Sequence, residues 1–502
     1  MLGIDVGTGG TRALLVNERG VLAGAATAEH VPFASPQTAW AEQDANDWWR
    51  ACQTAVREVL ERTGISARQI ACVGLSGQMH GAVLLDEKDR PLRPAIIWCD
   101  QRSADESAEL ARTPGNDAII KLTCNPPLTN FTLTKLLWVR KHEPALWQRF
   151  RRLLLPKDFV RLRLTGTHAM DVAEASGTLL LDVAQRRWSK EMLELAGLRE
   201  EALPDLYESP EICGHISQEG AQATALIEGT PVVAGAGDQA AGAVGMGVVR
   251  PGAVSATIGT SGVVFAATER PAMDSHGRLH TFCHAVPGRW HVMGVTQAAG
   301  LSLRWFRDRF GANGQDGDPY ASLVAEAATA PPGSDGVLWA PYLMGERTPH
   351  LDPDARGGWV GLAASHTRAH LVRAILEGVA FSLRDTFTIF AEMRVPVESI
   401  RLGGGGARSP LWRQIQADVY NHSVEIIAAE EGAAYGAALL AGVGAGFWRS
   451  VDDACGVSVR VSSRVEPDRH NARTLDARYS QYRQLYPALR SILAAAASRS
   501  GA

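Results

Sequence analysis

Short apolar runs that end in glycine recur along this chain. Leu2-Gly3-Ile4-Asp5-Val6 reads as a strand running into the turn Gly7-Thr8-Gly9-Gly10, and Val254-Ser255-Ala256-Thr257-Ile258 runs in the same way into Gly259-Thr260-Ser261-Gly262. A second strand ending in a glycine turn follows in each half, Ala71 to Gly77 and Ser399 to Gly406. A third small-residue element comes next, Gly235-Ala236-Gly237-Asp238 in one half and Gly432-Ala433-Ala434-Tyr435-Gly436 in the other. The matching order predicts a duplicated α/β fold whose halves meet between Gly245 and Gly252, where Arg250-Pro251-Gly252 breaks helix potential.

Helical spacing is clear at Val372, Leu376, Val379, Leu383, Phe387 and Phe390, which predict a packing helix. Tyr479, Tyr482, Tyr486 and Leu489 share a face of one last helix, with Pro487 expected as a kink and the tyrosines as core. His276, His280 and His284 recur every fourth residue, but Gly277 interrupts any helix there. Leu279 to Val286 and Trp290 to Val295 are expected instead as two strands turning at Pro287-Gly288, so the three imidazoles need not converge on a metal.

Charge narrows the function classes. Fifty Lys plus Arg against 54 Asp plus Glu leave −4 over 502 residues, too weak a field to draw in nucleic acid or an anionic membrane. The uncharged stretches Pro251 to Thr268 and Gly432 to Trp448 are rich in glycine, alanine and hydroxyls and fall short of a span of about 20 apolar residues. Seven cysteines, none closer than twenty positions to the next, fit neither a zinc knuckle nor a disulfide framework. The start Met1-Leu2-Gly3-Ile4-Asp5 lacks the basic region of a secretory leader, so a cytoplasmic protein is expected.

The glycine turns carry candidate chemistry, because small residues expose successive backbone N–H groups that can cradle phosphate oxygens. No lysine follows a glycine, which excludes a Walker A loop. Two matched turns facing across a cleft would grip a polyphosphate from both sides, with Thr8 and Thr260 adding hydroxyls. The copies differ where it matters: Asp5 in the first half is replaced by Thr257 in the second, and Asp238 by small residues after Glu431. Two carboxylates in apolar contexts beside phosphate-type turns suggest a metal and a proton acceptor, although Asp also caps turns. A dinucleotide fingerprint at Gly235 to Ala240 is disfavoured: Asp238 would repel the pyrophosphate, and no acid lies between it and Glu269 to hold a ribose.

The motifs Gly3-Ile4-Asp5-Val6-Gly7-Thr8, Gly77-Gln78-Met79-His80-Gly81, Ile97-Trp98-Cys99-Asp100-Gln101-Arg102, Leu155-Pro156-Lys157-Asp158, Ala236-Gly237-Asp238, Ile258-Gly259-Thr260-Ser261-Gly262, Gly345-Glu346-Arg347-Thr348-Pro349-His350 and Gly404-Gly405-Gly406-Ala407-Arg408-Ser409 resemble the FGGY carbohydrate kinases, in order from Gly3 to about Ala441. The resemblance implies two actin-like (ribonuclease H-like) α/β domains with a cleft between them: residues 1–245 for the sugar, 246–445 for ATP, and a helical extension over 446–502. It implies Asp238 as general base, Asp5 near Mg²⁺ either directly or through water, and Gln78, Met79, His80 and Asp100 as sugar contacts. Gly7, Thr8, Gly259, Thr260, Gly404 and Gly405 are implied on the ATP side. Gln78-Met79-His80-Gly81 is similar to the turn of the family's ketopentose kinases, so D-xylulose is the expected acceptor, with D-ribulose, L-xylulose or glycerol as alternatives. An actin-like nucleotide switch without an acceptor is the reading from another class, and a homodimer stands as an open alternative to a monomer. The chain departs from the family pattern at Gly9, where close relatives commonly have serine, at Arg12, where they often have lysine, and at Gln239, where some have asparagine.

Overall fold

The computed structural model describes residues 1–311, 318–428 and 432–497. Glu431 lies outside the described residues. Strand β1 (Leu2–Val6) turns into β2 (Gly10–Val16), which pairs with β3 (Leu22–Glu29); all three are antiparallel. On its other edge β1 lies parallel to β4 (Val73–Gly77), placing Asp5 opposite Ser76. Strands β5 (Ile212–His215), β6 (Pro231–Val233) and β7 (Ala236–Gly237) complete a seven-stranded sheet in the order β3-β2-β1-β4-β6-β5, with β7 against β4.

The second sheet repeats the plan. β8 (Gly252–Ile258) forms a hairpin with β9 (Gly262–Thr268) and lies parallel to β12 (Val397–Gly404). β10 (His280–Cys283) and β11 (Trp290–Thr296) extend one side, β13 (Val424–Ile427) and β14 (Val461–Val465) the other, in the order β10-β11-β9-β8-β12-β13-β14. The predicted duplication is therefore present strand for strand at its centre.

Helices cover the sheets where the sequence carries apolar stripes. α1 (Ala45–Thr63) starts at Asp44, whose side chain accepts from the Asn46 N–H, and ends at Gly64 in the left-handed region with φ 66°. Its Trp48, Cys52, Val56 and Val59 are buried, each large side chain contributing about 1.5–3 kcal/mol of burial. α2 (Asp238–Gly245) follows β7 directly. α3 (Arg368–Glu392) is the predicted packing helix, with Val372, Leu376, Val379, Leu383 and Phe390 buried. α4 (Gly432–Gly444) leaves the second sheet and packs on α2 and on β1 and β4 of the first. The third small-residue elements of the two halves thus begin helices that meet.

Two expectations change near the end of the chain. The last stretch is not one kinked helix but two, α5 (Arg469–Tyr482) and α6 (Leu485–Ala497). The break falls at Arg483 and Gln484, so Pro487 sits in the first turn of α6, where its missing N–H has no helical partner to lose. Nor is the segment after Ala445 only helical: Val461–Val465 adds an edge strand, β14, beside β13, and Arg464 bridges to Glu425 at 2.6 Å across that pair. Its five residues, Val461-Ser462-Ser463-Arg464-Val465, have no apolar alternation, and only the β-branched Val461 and Val465 favour a strand. His280 and Trp290 fall on adjacent strands as expected, and no group of three metal-binding side chains occurs among the described residues. All seven cysteines are free thiols. No helix among the described residues is long and apolar enough to cross a membrane.

Candidate active site

Asp5 is held on β1 by its neighbour on the parallel strand: Ser76 Oγ donates to Asp5 Oδ1 at 2.7 Å. Asp238 is the first residue of α2, placed by the β7 strand that docks at the end of β4. Both carboxylates line one cavity of about 290 Å³, with Ser255 and Thr257 of β8 and Gly432 at the start of α4 on the facing side. The first strand and the third element of each half converge there. Neither carboxylate forms an ion pair with a described residue. Burial raises the Asp5 carboxyl above the usual range, opposed by the Ser76 hydrogen bond and the Arg12 charge. Burial, and then the charge of Asp5, push Asp238 up to about 7.

An internal charge cluster lies behind Asp238. Lys157 Nζ reaches Asp158 at 2.5 Å and Asp171 at 2.6 Å, and Arg161 meets Asp158 at 2.6 Å, all with fully buried side chains. Glu174 packs against Gly237, and burial holds its carboxyl well above the usual range. The Leu155 to Asp158 motif marked part of this cluster without giving it a role; Asp171 and Glu174 had no sequence signal.

Met79 packs against Gly237 and Gly177. His80 adopts φ 70° and its Nδ1 lies 2.7 Å from the Gly177 carbonyl. Its ring meets Phe131 edge-on at 5.0 Å between centroids. Burial lowers this imidazole to about 3, so it is neutral at ordinary pH. Gln78 is tied down: its Nε2 donates to Gln43 Oε1 at 2.8 Å, and its Oε1 accepts from Thr8 Oγ1 at 3.3 Å. Trp98 Nε1 donates to the same Thr8 hydroxyl at 3.0 Å.

Asp100 departs from expectation. It is fully buried, Arg102 NH2 pairs with its Oδ2 at 2.7 Å, Arg102 Nε and N–H engage Oδ1 at 2.9 Å, and the Ala41 N–H donates to Oδ2 at 2.5 Å. With both oxygens occupied inside the protein, Asp100 anchors a loop and presents no free acceptor to a sugar.

The turns after β1 and β8 are built alike. Gly7 N–H closes on Gly10 O at 3.0 Å and Gly259 N–H on Ser261 O at 2.9 Å, leaving the amides of Thr8, Gly9, Thr260 and Ser261 without a hydrogen bond to any described residue. Gly259, Thr260 and Gly405 line a second cavity of about 690 Å³, whose walls include Leu303, Tyr320 and Trp412. Gly404, at φ 72°, turns β12 into that wall. The chamber suits a purine, apolar around the ring with free amides at one end. Arg408 and Ser409 also line it, and the sequence marked them only as part of a motif. The two cavities draw on the end of one strand, the acid cavity on Ser255 and Thr257 and the larger one on Ile258, and share no lining residue. Asp5 and Asp238 supply hard oxygen donors and no sulfur or imidazole, which fits Mg²⁺ held by one or two carboxylates, water and phosphate.

Comparison with known proteins agrees with this architecture. Residues 1–245 match the N-terminal domain of the FGGY family of carbohydrate kinases and residues 254–445 match its C-terminal domain. The chain belongs to the FGGY family of carbohydrate kinases. Within that family it is similar to the xylulose kinase of Escherichia coli (strain K12), 39% identical over 98% of this chain and 100% of that protein. It is also similar to the xylulose kinase of Bacillus subtilis (strain 168), 36% identical over 97% of this chain and 96% of that one. A crystal structure of a xyloylose kinase from Brucella ovis superposes with a TM-score of 0.90 at 39% identity, covering 98% of this chain and 99% of the other.

Proposed function

We propose that the protein transfers the terminal phosphoryl group of ATP to D-xylulose, with Asp238 as general base. The observation that carries this reading is the pair Asp238 and Asp5 in one cavity, with a chamber of nucleotide size lined from the end of the same strand, β8. The near full-length likeness to xylulose kinases selects the acceptor. In this reading residues 1–245 hold the sugar, with Met79 and His80 against it, and residues 246–445 hold the nucleotide. A sugar hydroxyl is a poor nucleophile at neutral pH, and Asp238, with a pKa of about 7, takes its proton as the bond to phosphorus forms. Free amides at both turns, on Thr8 and Gly9 and on Thr260 and Ser261, orient phosphate oxygens and offset their charge. Mg²⁺ at Asp5 supplies further charge neutralisation when bound. The Lys157 ion pairs are fully buried, and Glu174, whose carboxyl feels their charge, packs against Gly237 beside Asp238. Seven free thiols agree with a cytoplasmic setting.

A coupled ADP-release assay over ketopentoses, ketohexoses and polyols, with magnesium and ATP, tests the reading. D-xylulose is expected to give the highest kcat/KM; a higher value for D-ribulose, L-xylulose or glycerol replaces the acceptor, and acceptor-independent turnover alone supports a nucleotide switch.

A further inference from the structure

The guanidinium of Arg347 makes no hydrogen bond or ion pair with any described residue. Only its backbone N–H is engaged, donating to Glu346 Oε1 at 2.7 Å. Burial lowers its pKa to about 10, so it remains charged at neutral pH. Arg347 is only half-buried and its guanidinium nitrogens keep contact with solvent, so a fork of five donors stands open to oxygens that a ligand can supply.

Its loop places it beside the sugar-side histidines. Thr348 N–H donates to Val295 O at 3.0 Å, Val295 N–H to Thr348 Oγ1 at 3.0 Å, and Gln297 N–H to Glu346 Oε1 at 2.9 Å, so the loop is stitched to the end of β11. The adjacent strand β10 carries His280, whose ring lies 5.5 Å from Phe131, the same ring that His80 meets. The positive charge of Arg347 is felt at His80, His280 and Lys135. Glu346 does not neutralise it at pH 7, because burial raises that carboxyl to about 8.

The C-terminal helices hold the same loop. Tyr482 and Tyr342 share a 3.0 Å hydrogen bond between hydroxyls, and the Tyr342 hydroxyl lies 3.2 Å from His350 Nε2. His350 stacks on Tyr486 with centroids 3.7 Å apart, and Tyr486 OH donates to Asp352 Oδ2 at 2.6 Å. Both ends of the loop are thereby fixed, one by β11 and one by α5 and α6.

We propose that Arg347 is an acceptor-binding residue supplied by the second domain, donating to ketose oxygens remote from the phosphorylated hydroxyl, and that His350 and Tyr486 position it. This rests on the placement of His80 at the acceptor in the proposed function. Charge alone does not explain a guanidinium there; its planar fork matches paired oxygens on one polyol.

Steady-state kinetics of the full chain with ATP and D-xylulose test the proposal. Arg347→Met is expected to raise the acceptor KM about tenfold or more and to leave the ATP KM within about twofold. Arg347→Lys, which keeps the charge without the fork, is expected to fall between, and it serves where the methionine variant does not fold. Tyr486→Leu is expected to raise the acceptor KM about threefold, and Tyr486→Phe, which keeps the ring stack, to recover most of that loss. Folded Arg347 variants with an acceptor KM within about twofold of the parent overturn the acceptor contact. Equal changes in both KM values for Tyr486→Leu overturn the positioning role. A parent enzyme that ignores D-xylulose overturns the acceptor assignment alone; the Arg347 comparison is then made with whichever polyol the ADP-release assay identifies.

Discussion

Gly436 approaches Ala241 so closely that a Cβ on it would stand 1.8 Å from the Ala241 carbonyl oxygen. This contact joins α4 of the second domain to α2 of the first, and α2 begins at Asp238. The mounting of the proposed base therefore depends on a helix crossing that only glycine permits. Gly436→Ala forces the two helices apart, at an expected cost of about 1–3 kcal/mol. A lower Tm together with a lower kcat checks this; an unchanged Tm and kcat contradict it.

The pH dependence should follow Asp238. Its carboxyl is raised to about 7 by burial and then by Asp5, and it must be ionised to accept a proton, so kcat/KM should fall as pH drops through about 7. His80, held near 3, stays neutral over that range and does not contribute to the limb. Asp5→Asn removes the neighbouring negative charge and should move the acid limb to lower pH, as well as lowering kcat. A limb that stays in place or moves upward contradicts the coupling.

The same shift has a sign for stability. A carboxyl whose folded pKa is raised contributes stability that is complete below the unfolded value of about 4 and lost as pH rises through about 7. Asp238→Asn is therefore expected to be more stable than the parent at about pH 8, by at most about 4 kcal/mol, and no more stable at about pH 4. Urea midpoints at the two pH values check this, and an equal difference at both contradicts it.

His80→Ala should raise the acceptor KM with a smaller change for ATP, because its ring packs on Phe131, does not line the larger cavity and is proposed as an acceptor contact. An unchanged acceptor KM contradicts the contact.

Asp100→Ala should act on the fold rather than on substrate. It leaves Arg102 with Glu42, at 2.7 Å, and its stacking over Trp40 and Trp138, and it strips the Ala41 N–H of its acceptor. The expected loss is about 3 kcal/mol, read by urea unfolding. Unchanged stability with a raised acceptor KM would restore Asp100 as a sugar contact.

The duplicated strands were legible because β1, β4, β8 and β12 each end in a glycine turn, a local feature that period and composition reveal. The edge strand β14 was hidden because five residues with two valines carry little signal until the neighbour β13 is known. Pro487 misled for a related reason: a proline reports that a helix cannot pass through it unbroken, but not whether it kinks one helix or opens the next. Asp5 and Asp238 stood out as carboxylates in apolar surroundings, and the structure brings them to one cavity. Asp100 was named only through the family resemblance, and its pairing with Arg102, two residues away, depends on a side-chain direction that the sequence does not show. Arg347 and the tyrosines that hold its loop were invisible as a unit, because Tyr342, His350 and Tyr486 meet only after the chain has folded back over more than a hundred residues.

The account turns on proton removal by Asp238, and rapid-quench single turnover of Asp238→Asn with ATP, magnesium and D-xylulose tests it most directly. Phosphoryl transfer is expected to slow by about 10²–10⁴-fold or more while both substrates still bind. Transfer at close to the parent rate in a variant that binds both substrates would contradict it.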